Sequence, residues 1–264
     1  MNGKTNQEPI NLLLSRDELL YALRGLDAAF VPGLDPEPLG ERTAAEQELA
    51  LTVAERSLRA RELVRVLPDG NRQIHTAMLT MVGVCAYPQT AVLAYHWPAG
   101  ADTPLRYFGH LRGDDVVSHL RPEEALHLFS LLPDKATLID QLLAFCNWQD
   151  TAAVAKTEFT VDSDSFAAAR AAADSGDTAR AAETLIGGGV GAAAAGALAV
   201  TLANSPRVSI LQIVRPAAGG VQKQDVTLLQ DDNRTWLAVA AANQPLRVQS
   251  AGRDDVRELL AGWL

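Results

Sequence analysis

The sequence predicts an α+β fold made of two pseudo-two-fold-related repeats, each an antiparallel β meander with flanking helices. Three observations predict it. Two Ser/Thr-x-x-Glu capping boxes, at Ser15–Glu18 and Thr43–Glu46, open helices early in the chain. At Thr90 the hydrophobic period switches to two, and TAVLAYHW, LRYFGHL and VVSHL follow one another across short turns. Finally, the chain matches itself when it is shifted by 118 residues.

Taken in order, residues 1–9 are polar and read as a frayed start, followed by the short apolar run Pro9–Leu14. Helix is expected from the first capping box through Leu26, with Leu19, Leu20, Leu23 and Leu26 on one face. Pro32, Pro36 and Pro38 make residues 31–40 a stiff extended loop. The second box opens a helix to about Arg61. A strand over Leu63–Leu67, a turn at Pro68–Asn71 and a buried helix over Ile74–Cys85 come next. Beyond the meander, Pro122-Glu-Glu predicts a helix start, because proline suits a first turn and carboxylates suit the positive helix end. A helix over Ala136–Cys146 and a strand over Phe159–Val161 complete this half.

The second half opens with helices over Ser165–Asp174 and Thr178–Ile186, and the Gly/Ala text after them reads as helix to about Asn204. Strand-like VSILQIV, QDVTLL, TWLAVA and PLRV follow, with turns at Pro216–Gly220 and Asp231–Asn233, and a last helix covers Asp254–Trp263.

The shift by 118 places Val82 on Val200, Pro88 on Pro206, Leu93 on Leu211, Pro98 on Pro216, Ala99 on Ala217, Leu111 on Leu229 and Asp114 on Asp232. The matching prolines and aspartates mark the helix-to-strand junction and the two hairpin turns. The register slips after about residue 115, where the second half carries a longer strand pair. The expected organisation is therefore an N-terminal repeat over 1–150 and a C-terminal repeat over 151–264, docked as one pseudo-symmetric unit.

Composition excludes several classes. With 264 residues, 48% of them hydrophobic, the chain can build a substantial core. A net charge of −9 argues against non-specific nucleic-acid binding, which needs clustered cations. Cys85 and Cys146 cannot supply a disulfide scaffold or a cysteine-rich zinc site. The start lacks the cationic and apolar regions of a signal peptide, and the uncharged stretch Leu185–Ala203 is too rich in Ala and Gly to favour lipid. It reads as a tightly packed, small-residue buried helix. A cytoplasmic protein without a membrane span is expected.

No motif announces a chemistry. Gly189-Val-Gly191-Ala-Ala-Ala194 has a dinucleotide-loop pattern but follows helical text rather than a strand, so it reads as close helix packing. The five histidines include no i,i+4 pair. His96, His110 and His119 fall on three consecutive strands and could meet on one sheet face as a metal or acid–base site, although ordinary polar-face or edge positions fit them better. Cys85 and Cys146 read as buried small hydrophobes, and the acidic pairs Asp114-Asp115 and Asp231-Asp232 as turn chemistry rather than calcium ligands. The expectation is no catalytic residue, no metal and no cofactor. The candidate partner-binding residues sit at two hairpin corners: Trp97 and Pro98, and Arg215, Pro216, Gly219 and Gly220. An aromatic at an exposed turn suits a binding anchor, and packing under its own loop is the competing role.

The chain resembles the EspG family of type VII (ESX) secretion-associated proteins. The resemblance is carried by LLLSRDELLYALRGL, AERSLRARELV, CAYPQTAVLAYHW, FAAARAAADSGDTARAAETL, SPRVSILQIVRP and DDVRELLAGWL, in that order over nearly the whole length. It implies a two-fold α/β adaptor without catalysis, a cytosolic chaperone that holds the hydrophobic tip of a helical PE–PPE client pair before export. Such proteins bind through surface shape, so the resemblance transfers no binding residue. Two further readings stand beside it. One is a small-molecule-binding protein or enzyme with a pocket between the repeats. The other is a self-associating structural protein, a homodimer with the small-residue helix as its seam.

Overall fold

The computed structural model describes residues 10–34, 42–98, 100–149, 156–204, 207–240 and 244–264. The expected frayed start, Pro36, Pro38, Ala99, Pro206 and the 150/151 boundary lie outside them. The fold is α+β. In chain order come β1 (Ile10–Ser15), α1 (Arg16–Gly25), α2 (Ala44–Ala60), β2 (Val64–Val66), β3 (Arg72–Ile74), α3 (Thr76–Ala86), β4 (Thr90–Trp97), β5 (Leu105–Arg112), β6 (Asp115–Leu120), β7 (Leu126–Leu132) and α4 (Lys135–Phe145). Then follow β8 (Glu158–Val161), α5 (Ser163–Asp174), α6 (Thr178–Gly187), α7 (Ala192–Ala203), β9 (Arg207–Ala217), β10 (Gly220–Gln230), β11 (Thr235–Ala240), β12 (Leu246–Ser250) and α8 (Arg253–Trp263). Contacts divide the chain into two compact units, Met1–Ala91 with Tyr107–Leu138, and Val92–Arg106 with Ile139–Leu264.

In the first unit the strand order is β1-β7-β6-β5. Each pair is antiparallel, with Leu12 opposite Phe129, His119 opposite Phe129 and Phe108 opposite His119. Directly opposed residues share a face, so one face carries Leu12, Leu14, Val117 and Phe129. α1 and α3 cover it with Leu19, Ala22, Leu23, Met78, Met81, Val82 and Cys85. Burial of each large side chain there contributes about 1.5–3 kcal/mol. Ser15 is at once the last residue of β1 and the cap of α1. Its hydroxyl accepts from Glu18 N at 3.2 Å, and its own N–H donates to Glu18 Oε2 at 2.8 Å. The Thr43–Glu46 box forms in the same reciprocal way.

In the second unit the order is β4-β9-β10-β11-β12-β8. Its core is built from the small faces of α5–α7: Ala169, Ala172, Ala181, Ala195 and Ala199 let the helices approach closely, while Leu185, Leu198 and Trp236 fill the volume. The Ser163–Asp174, Thr178–Gly187 and Ala192–Ala203 segments confirm helices there, but the Gly/Ala text is not one continuous helix. α6 stops at Gly187 and α7 starts at Ala192, with Gly189 at φ +90° between them.

Several expectations need correction. Residues 122–125 form a turn rather than a helix start, and the next residues are β7. The alternation in LHLFSLL outweighs the Pro-Glu-Glu signal. The apolar run before Ser15 is an edge strand, and β3 returns from the Pro68–Asn71 turn to pair with β2. Pro216 and Ala217 belong to β9, so the hairpin turn is only Ala218-Gly219, closed by the Ala217–Gly220 pair. The two strands that flank this turn, β9 and β10, have 11 residues each, against 8 each for β4 and β5.

Candidate functional site

The residues singled out at the hairpin corners all lie in the second unit. Trp97 and Pro98, at the end of β4, are half-buried, and the Trp97 ring lies 6.4 Å from that of Tyr95. Arg215 is held in place: it donates to Gln224 Oε1 at 3.0 Å and to the Trp263 carbonyl. Pro216, Gly219 and Gly220 are exposed. Gly219, in the turn, and Gly220, the first residue of β10, have φ of +93° and +149°, conformations that side chains resist.

The two corners do not form one patch. His96 Nδ1 meets Ser209 Oγ at 2.8 Å, which fixes where β9 lies beside the end of β4. From Ser209 to Pro216 is seven residues, about 23 Å of strand at about 3.3 Å per residue.

The histidines are brought together differently from the expectation. His96 stays in the second unit, buried, with Ser209 and the Phe145 ring at 6.1 Å. Burial and then the Arg207 charge lower its pKa. Ser209 also bonds the Cys146 thiol, whose pKa burial pushes up to about 11, so this chain of polar groups holds no activated nucleophile.

His110, His119 and His127 instead form a buried row across β5, β6 and β7 of the first unit. Their ring centroids are 6.3 Å apart for His110–His119 and 5.2 Å for His119–His127. His119 Nε2 and His127 Nδ1 share a hydrogen bond of 3.0 Å, and Phe129 stacks on His119 at 4.4 Å. These are neither edge nor polar-face positions. His127 was missed because the helix expected at Pro122 concealed β7. The period-two text LHLFSLL was the signal that could have found it. Among the described residues no group of His, Cys, Asp and Glu could hold a metal ion.

The first unit also carries a cavity of about 550 Å³ between α1 and α2, lined by Leu20, Leu23, Ala28 and Leu51. At its rim Arg42 pairs with Asp17 at 2.7 Å and Arg24 with Glu48 at 2.8 Å. Asp27 adds a third carboxylate to the lining, and no histidine or cysteine lines it. Beside it, α2 leaves Leu49 and Val53 exposed. Among the described residues no helix is long and apolar enough to cross a membrane.

No protein-family model matches the chain, and no curated protein matches it by sequence. Its fold is similar to that of the type VII secretion system chaperone EspG5 of Mycobacterium tuberculosis, solved in complex with the PE25–PPE41 dimer. The match has a TM-score of 0.67 at 16% identity and covers 96% of this chain and 95% of the other.

Proposed function

We propose that this chain is a non-catalytic binding protein of the chaperone or adaptor kind, which holds an apolar helical segment of a protein client in the cytoplasm, as in type VII secretion. One observation carries this reading: the fold is similar, over 96% of the chain, to that of a chaperone solved in complex with a PE25–PPE41 dimer. The chemistry of the interior is consistent with it. The buried histidines and both cysteines sit in packed positions, and the apolar cleft between α1 and α2 is lined by none of them. The proposed contact residues remain Trp97 and Pro98 on one corner and Arg215, Pro216, Gly219 and Gly220 on the other.

We further propose that the chain arose from two copies of one supersecondary unit. The order helix, four strands, helix occurs twice, as α3–β4–β5–β6–β7–α4 and as α7–β9–β10–β11–β12–α8.

The test is co-purification of the tagged full chain from its native cells, with mass spectrometry, followed by reconstitution with the purified partner on a sizing column. A stoichiometric helical partner of the PE–PPE kind is expected. Trp97→Ala and replacement of Ala218-Gly219 by a longer loop are each expected to weaken it about tenfold or more, the scale of an interface anchor. A chain that remains alone, or that forms no complex with any helical secretion client, overturns the chaperone reading. Unchanged affinity in both variants overturns only the choice of corners.

A further inference from the structure

The His110–His119–His127 row has no part in the function proposed above. His110 is fully buried, and neither ring nitrogen has a hydrogen-bond partner. His119 is equally buried and uses Nε2 toward His127, while its Nδ1 is unpartnered. The row is enclosed by apolar rings: Phe108 lies 5.6 Å from His119, and Phe129 stacks on it. A neutral imidazole tolerates such a setting at modest cost. An imidazolium at His110 or His119 does not, because it would carry a charge and a second N–H to a position with no hydrogen-bond partner among the described residues.

Among the described residues the surrounding elements supply no compensating charge. The ionisable groups that act on the rings are Arg121, on His119 and His127, and Arg16, on His127, and both are cations. β1 carries no ionisable side chain, and α3 brings only the buried thiol of Cys85. The nearby carboxylate of α1, Glu18, is engaged by Ser57 and Arg61. Elsewhere on β5 and β6, Tyr107 lies opposite Leu120, and Arg112 lies opposite Asp115 at the far end of the hairpin.

We propose that this row is an acid-triggered release built into the first unit: in mildly acidic solution the chain gains more by protonating these rings in an opened state than it keeps by packing them. The sign follows from linkage. Burial lowers the pKa of His110 to about 3, and it lowers those of His119 and His127 as well. Above about pH 6.5 the rings are neutral in both states and the unit has its full stability. As pH falls below that, the opened state takes up protons that the closed state refuses. The opening constant then rises by up to about tenfold per pH unit for each ring, and the rise ends once pH falls through the depressed folded-state values.

The experiment uses the full chain. Amide hydrogen exchange of peptides from β5, β6 and β7, corrected for intrinsic rates, is measured at pH 7.5 and pH 5.5 beside peptides from α5–α7. Ring signals of the histidines are followed by NMR over the same range. The expected result is that β5–β7 lose protection more than tenfold beyond the α5–α7 peptides, while the rings of His110 and His119 stay neutral in the folded chain. His110→Leu and His119→Phe should each remove up to about tenfold per pH unit from the dependence. His75→Asn, at an exposed position, should leave it unchanged. Folded-state rings that titrate near 6.5, or equal loss of protection in both sets of peptides, overturn the proposal. So do variants that fold and keep the full pH dependence. If both variants fail to fold, the exchange and NMR results on the unaltered chain decide.

Discussion

Arg61, the residue that ends α2, spans the buried carboxylate of Glu18 with one guanidinium nitrogen, 3.2 Å from Oε1 and 3.1 Å from Oε2, while its other terminal nitrogen donates to the Leu13 carbonyl at 2.7 Å. Ser57 adds a hydroxyl bond to Oε1 at 2.8 Å. One side chain therefore ties the end of α2 to β1 and to the first turn of α1. A carboxylate this deeply buried depends on its partners, since leaving it unpaired costs its desolvation without return. Arg61→Ala is expected to destabilise the first unit by about 1.5–3 kcal/mol, the range for hydrogen bonds to charged groups. Arg61→Lys should recover less than half of that, because an ammonium cannot bridge the carboxylate and reach the carbonyl together. Urea unfolding of the three proteins checks both statements.

Gly109 and Leu138 are matched in size. A methyl group added at Gly109 would stand 2.7 Å and 2.9 Å from the two Leu138 methyls, and Leu138 is fully buried, so it has little room to turn away. Gly109→Ala is expected to cost about 1–3 kcal/mol through overpacking, and Leu138→Ala about 2–5 kcal/mol through the cavity it leaves. The double variant should be more stable than the sum of the two losses by about 1 kcal/mol or more, because each change relieves the other. Additive losses from thermal unfolding would show that the two side chains do not meet.

The sequence was most legible where local chemistry decides structure. Ser15 and Thr43 cap the helices expected of them, and the switch of period at Thr90 marks the start of β4. It was least legible where long-range pairing overrides a local signal. Pro122-Glu-Glu is sound helix-start text, yet residues 126–132 become a strand because β6 and β1 each offer it a full antiparallel ladder. That single error displaced His127 and with it the histidine row. Helix ends show the same contrast. Gly189 announces the stop after α6, whereas the left-handed residues two positions beyond α1, α2 and α4 are Asp27, Glu62 and Asn147, at φ of 54°, 57° and 50°. The Glu62 side chain marks no stop, and Asp27 and Asn147 mark one less plainly than a glycine does. The termini are set by the six-residue bonds from Ala28 N to Leu23 O, Leu63 N to Leu58 O and Trp148 N to Leu143 O, which belong to the fold.

Cys85 and Cys146 are both free and buried, and burial raises the pKa of each thiol. The reactive thiolate is therefore scarce as well as shielded at neutral pH. Treatment of the folded chain with iodoacetamide at pH 8 should leave both unmodified over an hour, and the same treatment in denaturant should add two groups per chain by mass spectrometry. Rapid modification of Cys146 without denaturant would contradict its place beside Ser209.

Thr201 joins three elements of the second unit. Its hydroxyl donates to Asp231 Oδ2 at 2.7 Å and accepts from the indole N–H of Trp236 at 3.2 Å, linking α7 to the β10–β11 turn and to β11. Trp236 is fully buried, so loss of the acceptor leaves its N–H unsatisfied. Thr201→Val keeps the volume and removes both bonds. It should cost about 1–3 kcal/mol, and Thr201→Ser should cost less, because the hydroxyl is retained and only a methyl group is lost. Unfolding followed by tryptophan fluorescence reads the effect.

Glu62 provides a change in the opposite direction. With φ at 57° it occupies the left-handed region, which costs a residue with a side chain about 1–2 kcal/mol and costs glycine almost nothing. Its one ion pair, with Arg65 at 3.4 Å, is exposed at both ends and therefore contributes little. The backbone geometry it supports, with Leu63 N donating to Leu58 O at 2.9 Å, needs no side chain. Glu62→Gly should therefore stabilise the first unit by up to about 1 kcal/mol, after allowance for the greater freedom glycine brings to the unfolded chain. In a chain of this length that is a rise in Tm of about 2–4 °C. Asn147→Gly, at the same kind of helix end, should gain less, since asparagine already tolerates the left-handed region. A fall in Tm for Glu62→Gly would mean that the carboxylate matters more to the end of α2 than its exposed ion pair suggests.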